Sequence, residues 1–239
     1  MTRRRWIADE VHADRALLLG QNAQHLVRVL RAQVGQEFDV AADGQIRRGK
    51  IIGIGDDRVE FELGDVVPGG RALDLTLLVS IFKFDRMEWA IEKATELGVA
   101  KIFPIVARRT DAHLARAADK RVERWRRIAK EAAQQSRRLD VPEIADPVKL
   151  AESVNQTGGT RILLAETERE KTLKSQLRNA SQPVTLAFGP EGGWTEDEIR
   201  LFENAGWISA SLGSTILRAE TAIVAGVAVA ASELTSTML

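Results

Sequence analysis

The chain of 239 residues contains no cysteine, only three histidines and no long apolar segment. The absence of cysteine excludes disulfide bonds and thiolate metal sites, and it fits a reducing compartment. Because His12, His25 and His113 do not stand at a spacing typical of metal ligands, we expect no metal site. The longest apolar run, residues 222–231, is too short to span a bilayer and predicts a buried helix.

Two familiar nucleotide-binding patterns are also absent. No Gly-x-Gly-x-x-Gly opens a helix after a strand, and no Gly-x-x-x-x-Gly-Lys-Ser/Thr occurs. These absences argue against a nicotinamide-dependent dehydrogenase and a P-loop nucleotidase. The first six residues are basic but lead into Asp9 and Glu10 instead of an apolar segment, so we expect no signal peptide and a cytoplasmic protein with no membrane contact.

The formal net charge of zero conceals two basic segments. Residues 108–138 contain eleven Lys or Arg against four Asp or Glu, and residues 1–31 contain six against three. Such an asymmetry favours a polyanionic partner, nucleic acid above all. The alternative, that these charges form solvated helix faces, is equally compatible with the counts alone.

The first part of the chain has the pattern of a small β-rich domain, which we place at residues 1–67. A helix is predicted first. Asp43-Gly44 lies between two β-like segments in which apolar and polar residues alternate, and this pattern predicts a hairpin. Several short strands at regular spacing predict a small barrel or sandwich, followed by a linker at residues 66–71. The predicted elements are a helix over residues 22–32 and strands over 37–41, 46–54 and 58–63.

From Leu73 onward, strands alternate with helices, which predicts an α/β domain over residues 72–239. This alternation calls for a mainly parallel sheet covered by helices on both faces. The predicted strands are residues 73–82, 99–106, 161–165, 183–188 and 207–212. The predicted helices are residues 85–97 and 119–138, a helix capped at Thr195, and a last helix from Ile216 or Ala219 to Leu234.

A glycine-rich segment follows the fourth of these strands. Phe188-Gly189-Pro190-Glu191-Gly192-Gly193-Trp194 begins where a strand cannot continue, and three glycines in five residues let backbone approach a ligand closely. Thr195 and the acidic residues after it start the next helix. This arrangement predicts a small-molecule site at the carboxyl end of an α/β sheet. With one Glu and no Lys, the segment suits a cationic or uncharged ligand better than a triphosphate.

Five blocks of the sequence, which together extend over essentially the whole chain, carry a resemblance to a known family. The chain resembles the RsmE family of the SPOUT superfamily of trefoil-knotted methyltransferases. Each block alone is weak, but the set in this order is specific. The blocks are His25-Leu26-x-x-Val29-Leu30-Arg31, Glu88-Trp89-x-Ile91-Glu92-Lys93-Ala94-Thr95-Glu96-Leu97-Gly98-Val99, Glu131-x-x-x-Gln135-Ser136-x-Arg138-x-x-Val141-Pro142, Gly189-Pro190-Glu191-Gly192-Gly193 and Leu212-Gly213-x-x-Ile216-Leu217-Arg218-x-Glu220-Thr221-Ala222.

The resemblance implies an N-terminal PUA-like RNA-binding β-barrel joined to a knotted domain that binds S-adenosyl-L-methionine. It also implies a homodimer that methylates N3 of one uridine in the decoding region of 16S ribosomal RNA. Periodicity alone predicts an ordinary open sheet, because general rules of chain topology exclude threading. The knot is therefore implied by the resemblance only.

The chemistry that the resemblance implies needs a group that handles a proton. The imide nitrogen of uridine is largely protonated at neutral pH, so the site must remove that proton or stabilise the anion. The candidates are Glu191 or Glu220 as base and Arg218 as the cation beside the developing charge. Alternatively, Arg218 and Glu220 only complement the start of the last helix, and Glu191 only accepts backbone hydrogen bonds.

For the methyl donor, we expect a slot of glycine backbone and apolar side chains, with the end of the third strand contributing as well. The alternative is that the apolar members belong only to the core. The family favours arginine at the position that Thr215 occupies. If that arginine contacts RNA phosphate in relatives, this protein must use other cations for the contact. The predicted donor-site residues are Ala165, Glu166, Phe188, Gly189, Glu191, Gly192, Leu212, Gly213, Ile216, Leu217, Thr221 and Ala222.

For RNA, cations from both domains are the expected phosphate contacts, which position an RNA without selecting a base. They are Arg3, Arg4, Arg5, Arg28, Arg31, Lys83, Arg86, Arg108, Arg109, Arg137 and Arg138.

Two rival functions remain open from the sequence. One is an RNA-binding ribosome-assembly factor that keeps the fold without catalysis, which the intact glycine segment disfavours. The other is a metabolic α/β enzyme, which the basic segments and the missing nucleotide fingerprints disfavour.

Overall fold

A computed structural model describes residues 5–67, 73–136, 138–155 and 158–236, with the backbone only for residues 235 and 236. The chain divides into two compact units, Met1–Ala72 with Ala133–Asp140 and Leu73–Ala132 with Val141–Leu239. Most of the predicted linker lies outside the described residues. The predicted domain limits at residues 67 and 72 stay a prediction.

The first unit contains one curled, mixed sheet of six strands in the order β1-β4-β5-β6-β3-β2. β1 pairs with β4 in parallel, and every other neighbouring pair is antiparallel. Its elements are β1 (Arg5–Ile7), β2 (Glu10–His12), β3 (Arg15–Leu19), α1 (Gly20–Gln24), a π-helical stretch (His25–Val29), β4 (Glu37–Ala42), β5 (Gln45–Ile54) and β6 (Arg58–Val67).

Alternation along the strands gives this sheet one buried face. In β6, Val59, Phe61 and Leu63 are buried in a core with Trp6 and Leu26, while the residues between them point away from it. The predicted hairpin is confirmed, since β4 and β5 pair on either side of residues 43 and 44, which both adopt positive φ.

The predicted helix over residues 22–32 is wrong in its bounds. Helical structure begins earlier, at Gly20, widens into the π-helical stretch and ends near Leu30. Arg31 has a φ of 53°, in the left-handed region, so the helix cannot continue through it. Three strands, β1 to β3, precede it and were not predicted.

The second unit contains a parallel sheet in the order β10-β8-β7-β12-β11-β13, with β9 paired to β8. Its strands are β7 (Leu75–Ser80), β8 (Lys101–Val106), β9 (Glu143–Ile144), β10 (Val148–Lys149), β11 (Thr160–Leu164), β12 (Val184–Phe188) and β13 (Ile208–Ala210). Its helices are α2 (Phe84–Glu96), α3 (Ala112–Ala117) with a 3-10 turn (Ala118–Arg121), α4 (Val122–Gln135), α5 (Leu150–Ser153), α6 (Leu173–Leu177), α7 (Glu196–Asn204) and α8 (Ala219–Ser236), and the last three residues of α4 are counted with the first unit.

Every strand pair of this sheet is parallel, and its central strands are buried on both faces. Along β12, Leu186 and Phe188 enter one core together with residues of α2, α4 and α8. Ala187, between them, enters a second core with residues of α5 and α7. The predicted parallel sheet covered on both faces is thus confirmed.

Three aromatic side chains in the second core attach the glycine-rich segment to the sheet. Phe202 of α7 lies between Trp194 and Trp207, with ring centroids 5.0 Å from each. The indole of Trp194 donates a hydrogen bond to the carbonyl of Leu164 at 3.0 Å, and that of Trp207 donates to Val154 at 3.0 Å. The end of the glycine-rich segment is therefore part of the core.

We predict that Phe202→Ala lowers the free energy of unfolding of the second unit by about 3–5 kcal/mol, because it empties a fully buried site between two indoles. Urea unfolding followed by tryptophan fluorescence measures the loss. Glu203→Ala, at an exposed position of the same helix, should change it by less than about 0.5 kcal/mol. Equal effects from the two variants would contradict this packing.

Candidate active site

A cavity of about 370 Å³ lies at the carboxyl ends of three neighbouring strands of the second unit. β11, β12 and β13 end at Leu164, Phe188 and Ala210, and all three residues line the cavity. The carboxyl ends of parallel strands are the usual ligand position in open α/β sheets, and the volume suits a small molecule.

The first wall of the cavity is the glycine loop, residues 189–194, which follows β12. Gly193 has a φ of 69° and donates a hydrogen bond from its N–H to the carbonyl of Pro190 at 2.8 Å. A Cβ at Gly193 would lie 3.0 Å from Oε1 of Glu166. The left-handed φ of Gly193 calls for glycine here, whereas the flexible end of the Glu166 side chain could move aside for a Cβ.

One contact ties the glycine loop to the residues after β8, and a second ties the following helix, α7, to the same residues. Arg109 donates from Nη1 to the carbonyl of Gly192 at 2.7 Å. Glu198 of α7 accepts the backbone N–H of Arg108 at 2.6 Å and forms a capping box with Thr195. The predicted N-cap at Thr195 is confirmed, and Arg109 supports the backbone of the loop.

The second wall is formed by residues 211–218, between β13 and α8. Ser211 donates its N–H to Lys171 at 2.8 Å and accepts the N–H of Leu173 at 2.9 Å, which fixes the start of this wall to the chain before α6. Gly213 has a φ of 129°, and a Cβ there would meet no atom within 4 Å. The backbone conformation at Gly213, not crowding, therefore calls for glycine.

A three-residue charge cluster adjoins the cavity. Arg86 near the start of α2 donates from Nη1 to Oε1 of Glu191 at 2.9 Å, and its Nε lies 3.7 Å from Oε1 of Glu220. Oε2 of Glu220 is buried and has no hydrogen-bond partner among the described residues. Arg86 and Glu191 line the cavity, whereas Glu220 does not.

The structure brings most of the predicted donor-site residues together around the cavity. Gly192, Thr221 and Glu220 do not line the cavity. Glu220 contacts Arg86, which does line it. Their predicted roles stay predictions. The predicted residues that line the cavity are Ala165, Glu166, Phe188, Gly189, Glu191, Leu212, Gly213, Ile216, Leu217, Arg218 and Ala222.

Sequence reasoning missed Arg169, which lines the cavity from the turn after β11. Glu168 shapes this turn by accepting the backbone N–H groups of Glu170 and Lys171 at 2.8 and 3.1 Å, and these bonds hold the pKa of its carboxyl below the usual value. Within the described residues, the side chains of Arg169 and Arg218 make no hydrogen bond or ion pair. The place of Arg169 in a turn after a parallel strand was the available signal.

The cations predicted to contact RNA fall into distinct environments. Arg28, Arg31, Lys83 and Arg108 are exposed. Arg138 is 9% exposed and forms an ion pair with Asp140 at 3.1 Å, which does not favour a phosphate contact.

Other members of that set are either engaged or not described. Arg86 and Arg109 bind the glycine loop, as given above, and Arg5 is half-buried in β1. Arg3, Arg4 and Arg137 lie outside the described residues. The RNA contacts stay a prediction.

Metal clusters and membrane spans are both absent from the described parts of the chain. In residues 5–67, 73–136, 138–155 and 158–236, no three His, Cys, Asp or Glu side chains are grouped as a metal ion would require. Over the same ranges, no helix has the length and apolar character needed to cross a membrane.

Two family models match the chain. An RNA methyltransferase PUA domain matches residues 18–64, and an RNA methyltransferase domain matches residues 70–231. The first match agrees with the curled sheet and confirms its PUA-like character. The second covers more than half of the chain.

Curated relatives carry the description ribosomal RNA small subunit methyltransferase E. That of Bacillus subtilis is 30% identical over 218 residues, 86% of this chain and 85% of that protein. That of Aquifex aeolicus is 31% identical over 219 residues, 89% of this chain and 93% of that protein. The relative from Synechocystis is 34% identical, but the match spans 66% of its length.

A solved structure agrees with these relatives. The crystal structure of a ribosomal RNA small subunit methyltransferase E from Neisseria gonorrhoeae, bound to S-adenosyl methionine, superposes with a TM-score of 0.83 at 28% identity. The match covers 95% of this chain and 96% of that one. The predicted architecture is confirmed, whereas the trefoil knot stays a prediction.

The resemblance drawn from the five sequence blocks is confirmed by these matches, and the chain belongs to the ribosomal RNA small subunit methyltransferase E family.

Proposed function

We propose that this protein transfers a methyl group from S-adenosyl-L-methionine to N3 of a uridine in the decoding region of 16S ribosomal RNA. The observation that carries this proposal is the cavity at the ends of β11, β12 and β13, walled by the glycine loop and residues 211–218. A Neisseria member of the same family is bound to S-adenosyl methionine. Residues 1–67 bind the RNA, and residues 72–239 carry the transfer.

The residues of the cavity fit this methyl donor. Leu212 and Leu217 would face the adenine with apolar surface, and backbone groups at Gly189 and Gly213 would meet its polar edges. The ring of Phe188 is buried in the core against Gly226 of α8, so Phe188 borders the cavity without offering its ring to the adenine.

The remaining contacts would come from the turn after β11. Glu166 is exposed and lines the cavity, so its carboxylate is available to ribose hydroxyls. When bound, the donor supplies a methyl group on a positively charged sulfur, and the protein must hold that group in line with the uridine nitrogen.

We predict that Gly213→Val weakens binding of S-adenosyl-L-methionine at least ~10-fold, because a β-branched residue resists a φ of 129° and reshapes the second wall. Isothermal titration calorimetry measures the dissociation constant. Gly35→Val is the matched control, since Gly35 has a φ of 91°, has no atom within 4 Å of an added Cβ, and lies in the first unit. Unchanged affinity in Gly213→Val would remove this wall from the donor site, and a wild-type protein that does not bind the donor would contradict the proposed function.

Arg218 is the cation that we assign to the charge developing on the uridine ring. Its side chain is exposed, lines the cavity and makes no ion pair among the described residues, so it is available to an incoming substrate. A cation held beside a developing anion acts mainly in the transition state.

We therefore predict that Arg218→Ala lowers kcat by about 10² to 10³ and leaves the affinity for the donor unchanged. Single-turnover transfer of a labelled methyl group to small ribosomal subunits measures the rate. Arg200→Ala, an exposed arginine of α7 outside the cavity lining, should transfer at the wild-type rate. A wild-type rate in Arg218→Ala would exclude this residue from the mechanism.

For RNA binding, the exposed cations Arg28, Arg31, Lys83 and Arg108 are the best supported of the predicted set. In the described parts of the chain, none of their side chains has a hydrogen-bond or ion-pair partner. Free cations can neutralise phosphates and release counterions, so binding should weaken steeply as salt is added.

We predict that the double variant Arg28→Ala/Arg31→Ala reduces the slope of log K against log salt by roughly 1.4–1.8, at about 0.7–0.9 for each phosphate that is no longer neutralised. Filter binding of 16S ribosomal RNA over a series of KCl concentrations would measure it. Arg15→Ala is the control, since Arg15 is already paired with Glu60 at 2.9 Å. A salt-independent affinity of the wild-type protein would contradict binding through phosphates.

We also propose that the protein is a homodimer that acts in the cytoplasm. Trp89 on α2 keeps 44% of its surface exposed, and outward positions of α8, which packs on α2, carry Val224 and Ala228 where a solvated face would carry charge. Sedimentation equilibrium measures the stoichiometry.

The predicted cytoplasmic location is supported by the absence of cysteine and by the ribosomal substrate class.

A further inference from the structure

We propose that Glu191 is the carboxylate that takes the uridine proton, and that Arg86 and Glu220 are positioning residues that hold it in place. This assignment rests on the proposed methyl transfer, and it separates two carboxylates that the sequence presents as equivalent candidates. It is carried by the charge cluster of Arg86, Glu191 and Glu220 beside the cavity.

Glu191 has one oxygen held and one oxygen free. Its Oε1 accepts a hydrogen bond from Nη1 of Arg86 at 2.9 Å. Its Oε2 has no partner among the described residues, and its side chain lines the cavity with 44% of its surface exposed. A carboxylate anchored through one oxygen can present the other to a substrate in a fixed direction.

Glu220 has the opposite environment. It lies in the first turn of α8, its side chain is 13% exposed, and it does not line the cavity. Its contact is the guanidinium of Arg86, with Nε at 3.7 Å from Oε1. A substrate in the cavity would meet Arg86 and Glu191 before it met Glu220.

Arg86 joins the two carboxylates. Its planar guanidinium offers donors in fixed directions, so one carboxylate near Nε and another at Nη1 restrict its rotation. Without the second carboxylate, a long side chain that is 33% exposed would keep more of its rotamer freedom. Glu220 therefore acts on Glu191 through Arg86.

The backbone beside Glu191 is held as well. Arg109 donates from Nη1 to the carbonyl of Gly192, the next residue, at 2.7 Å. Two arginines that sequence reasoning assigned to RNA thus fix Glu191, one through its side chain and the other through the loop. The position of Glu191 is more constrained than an exposed loop carboxylate would otherwise be.

The transfer can be balanced with Glu191 in this role. The proton of the imide N–H passes to Oε2 of Glu191, and the electron pair of N3 forms the new N–C bond. The S–C bond breaks with its electron pair on sulfur, and the carboxylic acid then returns its proton to solvent. The fixed carboxylate serves as general base.

The test is a set of single and double variants, assayed with labelled S-adenosyl-L-methionine and small ribosomal subunits from cells that lack this protein. Glu191→Gln should lower kcat by about 10² or more, with the substrate KM and the calorimetric donor affinity unchanged. Arg86→Ala and Glu220→Gln should each lower kcat about 10-fold to 100-fold, as expected when a reacting group is misplaced.

The double variant Arg86→Ala/Glu220→Gln tests whether Glu220 acts through Arg86. Because Glu220 acts through Arg86, adding Glu220→Gln to Arg86→Ala should lower kcat no further. Arg86→Lys, which keeps the charge, should recover part of the loss, and it also replaces Arg86→Ala in the cycle if the alanine variant does not fold. A full additional loss from Glu220→Gln in the Arg86→Ala background, or a near-wild-type kcat in Glu191→Gln, would overturn the assignment.

An ion pair of Glu88, on the same helix as Arg86, serves as a control for effects on stability. Glu88 of α2 has a side chain that is 14% exposed and is paired with Arg124 at 2.7 Å, outside the cavity lining. Glu88→Gln should leave kcat at the wild-type value, and a loss equal to that of Glu220→Gln would contradict a specific role for Glu220. An inactive wild-type protein would instead contradict the proposed function, so the two failures are distinguishable.

Discussion

The attachment of the glycine loop to the rest of the second unit is the constraint on which the site depends. Trp194 places one end of the loop in the core through Phe202 and a hydrogen bond to Leu164. Arg109 donates a hydrogen bond to the carbonyl of Gly192 in the middle of the loop, and Arg86 donates one to the side chain of Glu191. A loop of this composition would be mobile without such contacts, and a mobile loop cannot place a reacting group to within a fraction of an ångström.

The parallel sheet explains why these contacts occur together. Since β11, β12 and β13 run in the same direction, their carboxyl ends meet at one edge, and the segments after them form one cavity. Both faces of the sheet are covered by helices, so the strand ends are the place where loop backbone and charged side chains can converge on a ligand. The family matches assign this arrangement to RNA methyltransferases.

Much of the fold could be predicted from the sequence, because strong local patterns determine it. The continuous apolar runs before Ser80 and Phe188 indicate strands buried on both faces, and the capping pattern at Thr195 locates a helix start. The first three strands were missed because they are short, and because β1 and β3 also pair with strands distant in sequence, β4 and β6. Local periodicity carries no information on such pairing.

The site was predictable by region but not by role. Glycine spacing indicated the first wall of the cavity and the family resemblance indicated the second, whereas charge alone could not show which groups the arginine side chains bind. Arg86 and Arg109 appear in the sequence as free cations, yet in the structure they bind a carboxylate and a carbonyl of the glycine loop. Arg169 was missed because its place in a turn after a strand was the only signal, and no motif spacing accompanied it. Side-chain partners of this kind depend on tertiary contacts.

The most direct test of the methyltransferase account is mass-spectrometric mapping of methyl groups on 16S ribosomal RNA from cells with and without this protein. If the protein makes this modification, a single N3-methyluridine in the decoding region disappears when the protein is absent and returns when it is restored. An identical methylation pattern in the two samples would contradict it.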